Sequence, residues 1–146
     1  MKRVYLIPMA LLLFLVLAGC AAKPAASAGP IQIFEPWLRV AKSGDSSGAF
    51  MLIKNTGSQP DQLLKAECMA SMMTSIHETK MEGDMMTMSE IPGLAIPANG
   101  QVELKSGSYH IMMMNVNTDL VEGQKMKVSL TFEKAGVVEV EAVIKK

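Results

Sequence analysis

The 146-residue chain is poor in the side chains that most protein chemistry uses: two cysteines, two histidines, one tryptophan and two tyrosines. Acids and bases balance at 14 each, and no basic block stands out, which excludes an electrostatic grip on nucleic acid. No arrangement of catalytic triad, paired carboxylates or phosphate-cradling glycines is present, so nothing in the sequence points to an enzyme. A sustained 3.6-residue apolar period is absent as well, which argues against helices. Long apolar runs are missing except for one at the start, Val4 to Leu17. Methionine is abundant by contrast, at 14 residues.

The N-terminus reads as an export signal. Lys2 and Arg3 precede the apolar run, which is shorter than the roughly 20 residues a membrane span needs. The run ends in Leu17-Ala18-Gly19-Cys20. This ending resembles the lipobox of bacterial lipoproteins. The resemblance implies that residues 1–19 are a signal peptide and that Cys20 is lipidated, which anchors the chain to a cell-envelope membrane facing the periplasm or the cell exterior. Several acyl chains hold a protein on a membrane where one chain barely does. Residues 20–30, rich in alanine and proline, are then a flexible tether, and residues 31–146 a single domain. Loss of Lys2 and Arg3 leaves 12 bases against 14 acids, a net charge of −2. Cys68 becomes the only thiol, so no internal disulfide is expected.

From Ile31 onward, short alternating apolar segments follow one another between turn signals. They predict eight or nine strands in an all-β, Greek-key sandwich or barrel. A helical turn is expected at Met69–Met73. Gly83-Asp84 lies between Met73–Met81 and Met85–Ile91 and predicts a type II′ hairpin. With those two residues at the turn, Glu82 pairs with Met85 and His77 faces Glu90. His77, Met86 and Met88 then share one face, with Met88 diagonal to His77.

The second histidine stands in Ser108-Tyr109-His110-Ile111-Met112-Met113-Met114. Strand parity puts His110, Met112 and Met114 on one face and sends Met113 to the other, into the core. Imidazole with neutral thioether sulfur makes a soft donor set. It favours Cu(I) over zinc, which takes thiolate or more imidazole and carboxylate, and over the hard cations, which take oxygen.

The spacing His77, ten residues, Met88, 21 residues, His110, one residue, Met112 resembles the metal motif of the PCu(A)C family of bacterial copper chaperones. Pro36-Trp37-Leu38-Arg39, Gly48-Ala49-Phe50-Met51, Lys54-Asn55-Thr56-Gly57, Ile76-His77-Glu78-Thr79, Gly93-Leu94-Ala95-Ile96-Pro97 and Gly107-Ser108-Tyr109-His110 resemble it too. The resemblance implies a cupredoxin-like fold and one Cu(I) held by His77, Met88, His110 and Met112. It also implies delivery of copper to the Cu(A) centre of cytochrome c oxidase subunit II, alongside Sco-type proteins. Met86 and Met114 are left as spare thioethers on the ligand faces.

Three other readings remain open, one of them a structural lipoprotein domain whose methionines only pack. A cupredoxin-type electron carrier would use Cys68 as a thiolate ligand, and a copper-tolerance or storage lipoprotein would hold copper without delivering it. For single residues the bland expectations are Trp37 and Cys68 in the core, and Glu78 and Glu82 on a solvated face.

Overall fold

The structure is a computed structural model that describes residues 23–146. The Leu17–Cys20 motif lies outside the described residues. Eleven strands and no helix occur among them: β1 (Ala26–Ala28), β2 (Ile31–Arg39), β3 (Ser47–Asn55), β4 (Asp61–Cys68), β5 (Ser71–Glu82), β6 (Met85–Glu90), β7 (Leu94–Ile96), β8 (Gln101–Leu104), β9 (Tyr109–Val116), β10 (Lys125–Phe132) and β11 (Gly136–Lys145).

Seven of these strands close on themselves in the order β2-β11-β10-β4-β5-β9-β3 and back to β2. Closure leaves the ring no open edge. All its pairings are antiparallel except β11 with β2, which is parallel. The other four strands hang on its margins: β1 on β2, β6 on β5, β7 on β4 and β8 on β3.

The core follows from the period-2 pattern. Val138, Val140, Ala142 and Ile144 on β11 meet Val128, Leu130 and Phe132 on β10, and Ile76, Ile111 and Met113 close the opposite wall. Burial of each of these side chains other than Ala142 stabilises by about 1.5–3 kcal/mol. Met113 is fully buried, as its parity requires.

The expected count of eight or nine strands falls short of the eleven observed. β1 comes from the segment expected to be a tether, and β7 from a turn-rich stretch. Both are three-residue strands held by main-chain pairing, which leaves no long alternating pattern to read. The helical turn expected at Met69–Met73 is also absent. Cys68 pairs with Ser71, so Met69 and Ala70 form a tight turn and β5 starts at once.

Candidate metal centre

β5 is the backbone of the site because it changes neighbours along its length. Its first residues pair with β4, and from His77 on that same edge takes β6. The other edge carries β9 from Ser71 to Glu78. The hairpin register agrees with the turn chemistry: Glu82 faces Met85, Thr79 faces Met88 and His77 faces Glu90. Gly83 has φ +65°, as the first turn residue of a type II′ hairpin requires.

Across the other edge His77 stands directly opposite His110, Ser75 opposite Met112, and Met73 opposite Met114. Ile76 and Ile111, of the other parity, are buried in the barrel. His77, His110, Met112 and Met88 therefore share the outer face of three adjacent strands. The imidazole centroids lie 5.8 Å apart. Two metal–nitrogen bonds of about 2 Å, added to two ring radii, span that gap.

Each ring is held by a group two residues upstream. His110 Nδ1 lies 3.1 Å from the Ser108 carbonyl oxygen. That acceptor requires an N–H at Nδ1, which leaves the Nε2 lone pair for a ligand. The Ser75 hydroxyl lies 2.8 Å from His77 Nε2, and His77 Nδ1 is buried with no hydrogen-bond partner. A buried polar atom without a partner costs roughly 1–3 kcal/mol. A metal ion accepting its lone pair would remove that cost.

Beside His110 an aromatic wall closes the site. Its ring centroid is 6.4 Å from that of Phe50, which stacks on Trp37 at 4.3 Å, and the Arg39 guanidinium lies 5.3 Å over the Phe50 ring. Gly48, opposite Met112, makes room for this: a Cβ there would sit 2.8 Å from the tip of the Phe50 ring. His110, Phe50, Met86, Met88, Thr79 and Arg39 line a cavity of about 220 Å³ in which no carboxylate takes part. Among the described residues no three His, Cys, Asp or Glu side chains gather into a metal-holding group.

The structure thus sets Met88 and His110 on the cavity wall, with His77 directly opposite His110 and Met112 one same-face step from it, both outside the cavity lining. Met86 joins the cavity and Met114 lies further along the same face. Trp37 is half-buried on the site's wall rather than in the core, because the β2 irregularity between Phe34 and Trp37 turns it outward. Glu78 departs from the solvated face expected for it. Its side chain is 17 % exposed and bonds Lys80 at 2.8 Å; the Lys80 hydrogen bond, then that of Tyr109, holds its carboxyl below the usual range.

Cys68 does not meet the histidines. It pairs with Ser71, six residues before His77 on β5, a run of up to roughly 20 Å. Burial also pushes its thiol pKa upward, away from the thiolate a blue-copper site needs. What the sequence reading passed over is the pair of holders. Both histidines stand in a Ser-X-His triplet, Ser75-Ile76-His77 and Ser108-Tyr109-His110, whose period-2 spacing was a legible signal.

Comparison with known proteins gives a consistent result. Residues 31–144 match the family model described as LpqE-like lipoprotein. The lipoprotein Lxx21020 of Leifsonia xyli subsp. xyli is 34% identical over 128 residues, 82% of this chain and 76% of that protein. The copper-bound PCuAC domain from PmoF2 superposes with a TM-score of 0.71 at 23% identity, covering 82% of this chain and 95% of that one, a likeness of fold. The solution structure of CuI-DR1885 from Deinococcus radiodurans gives 0.63 at 26% identity, covering 82% and 81%.

Proposed function

The chain belongs to the LpqE-like lipoprotein family, and from that premise we propose that it is a cell-envelope copper chaperone that carries Cu(I) on His77, Met88, His110 and Met112. One observation carries the reading. Two imidazoles 5.8 Å apart, one with a buried unpartnered nitrogen, share a sheet face with thioethers from β6 and β9. The donors are neutral and soft, and the charged group lining the cavity is Arg39. Soft neutral donors of this kind favour Cu(I) over Cu(II) or Zn(II). Copper-binding PCuAC domains among the structural neighbours support the same cargo.

The ion is cargo, and the site suits transfer. Met88 is 51% exposed and hangs from a marginal hairpin, so an incoming donor group reaches the ion from that side. His110 is buried and holds the ion from behind while ligands exchange. Lipidation at Cys20 would keep the carrier on the membrane. Its recipient in this reading is the Cu(A) centre of cytochrome c oxidase subunit II, served alongside Sco-type proteins.

Anaerobic Cu(I) titration against a competing chelator tests the site. One equivalent should bind tightly enough to compete with the chelator, and His110→Ala or Met112→Leu should weaken it at least tenfold. Unchanged affinity in either variant would sink the assignment. Copper transfer to a soluble subunit II domain then tests the recipient separately.

A further inference from the structure

Of the twelve methionines among the described residues, Met51 and Met113 are buried, and seven are among the exposed large apolar side chains. Packing does not explain them: burial is what makes a methionine stabilising, and Met72 is 90% and Met69 86% exposed. They fall into two groups at opposite ends of β5. Met81, Met85, Met86 and Met88 belong to the hairpin end, where Met86 and Met88 line the cavity already described. Met69, Met72 and Met73 belong to the other end, where Met114 faces Met73 across the β5–β9 pair.

This second group surrounds an open cleft of about 640 Å³. Met69, Met72, Met73 and Met114 all line it. The two facing methionines stand on a pinned backbone. The Ser71 hydroxyl, itself buried, lies 2.9 Å from the Met73 carbonyl oxygen and 2.7 Å from that of Met114, and it accepts the Met73 N–H at 3.3 Å. The charged residues around the cleft are Lys65, Lys127, Glu67, Glu90 and Glu139, two bases against three acids. The lysines are engaged by Glu67 and Glu139, at 2.7 and 3.8 Å. Glu90 is left with no ion pair among the described residues, and it faces His77 across the hairpin. The surroundings therefore favour a cation. Cys68 lies on the floor as a buried thiol, so the soft neutral donors are the thioethers.

We infer that Met73 and Met114, with Met69 and Met72 beside them, form a second, loosely holding site for a soft monovalent metal ion. It rests on reading the histidine site as a Cu(I) site, because the two lie on one ladder: His77/His110, Ser75/Met112, then Met73/Met114. Successive same-face steps along it are about 6.6–6.8 Å. Thioethers alone, without imidazole, bind such an ion more weakly and release it faster. The ion changes neither charge nor oxidation state on binding.

To test this, titration of the full chain carrying Cys68→Ala, which removes the thiol that lines the same cleft, is done in detergent micelles with Ag(I) and followed by NMR of ¹³C-methyl-labelled methionines. The first equivalent should move the Met88 and Met112 methyls. Further equivalents should move those of Met73 and Met114, and Met73→Leu with Met114→Leu should reduce the bound ions from two to one. Movement confined to Met88 and Met112 through ten equivalents would overturn the second site and leave the first standing. In His110→Ala the response of Met73 and Met114 should persist. Its disappearance there would mean that those methyls only report the first site, which also overturns the inference. If no methionine methyl moves at all, both sites are refuted.

Discussion

Ser75 stands two residues before His77 and holds its Nε2, while the ring's Nδ1 stays buried and unpartnered. The hydroxyl therefore selects which nitrogen is offered to a ligand. Partners of this kind are worth about 10–100-fold in metal affinity. Ser75→Ala should lower Cu(I) affinity by roughly tenfold while leaving the thermal midpoint almost unchanged; a chelator competition read beside a melting curve separates the two. The corresponding change at Ser108 should do little, because His110 bonds the main-chain carbonyl there. Residue identity was visible in both triplets, but which serine matters was not, since a side-chain and a main-chain acceptor look alike in one dimension.

At the scale of elements, the β5–β6 hairpin is the part most exposed to error. Every residue of β6 is exposed, so its place depends on main-chain pairing and on the turn. Gly83 holds φ +65°, where a Cβ is strained although nothing lies near it. Gly83→Ala should cost about 1 kcal/mol locally and should loosen Met88. We expect hydrogen exchange to rise in residues 81–86 without a change in the barrel, and Cu(I) affinity to fall several-fold. Hairpin register was readable from Gly83-Asp84 because a two-residue turn leaves no freedom in pairing. The short strands β1 and β7 were not readable, having three residues each and no alternation that differs from a loop.

For the whole molecule, closure of the barrel depends on a few ties between distant segments. Asp61 is one. Burial alone would raise its carboxyl pKa, but backbone N–H groups of Lys134, Gln62 and Ala135 outweigh that and hold it below the ordinary 3.8. Those bonds, 2.9, 2.7 and 2.9 Å long, tie the start of β4 to the β10–β11 turn. A depressed carboxyl stabilises fully above its unfolded value and loses that contribution as pH falls through the folded value. Stability should thus decline with acid below about pH 4. Asp61→Asn should be less stable at neutral pH by roughly 1–3 kcal/mol and should show a flatter decline between pH 4 and 2 in urea titrations.

Much of the site was decided by the sequence itself. The donor atoms are chosen by residue type, and soft neutral donors select a soft ion wherever they meet. Strand parity alone sent Met113 inward and kept Met112 and Met114 outward, because alternation is local geometry. Tertiary structure decided what local rules cannot reach. His77 and His110 lie 33 residues apart, and only the pairing of β5 with β9 sets them face to face. The same pairing aligns Met73 with Met114, while the short β4–β5 turn carries Cys68 away from both histidines. The aromatic wall of Trp37 and Phe50 likewise needs β2 and β3 side by side. Long-range strand order is a property of the closed barrel, fixed by which apolar faces must be buried together, and no single segment records it.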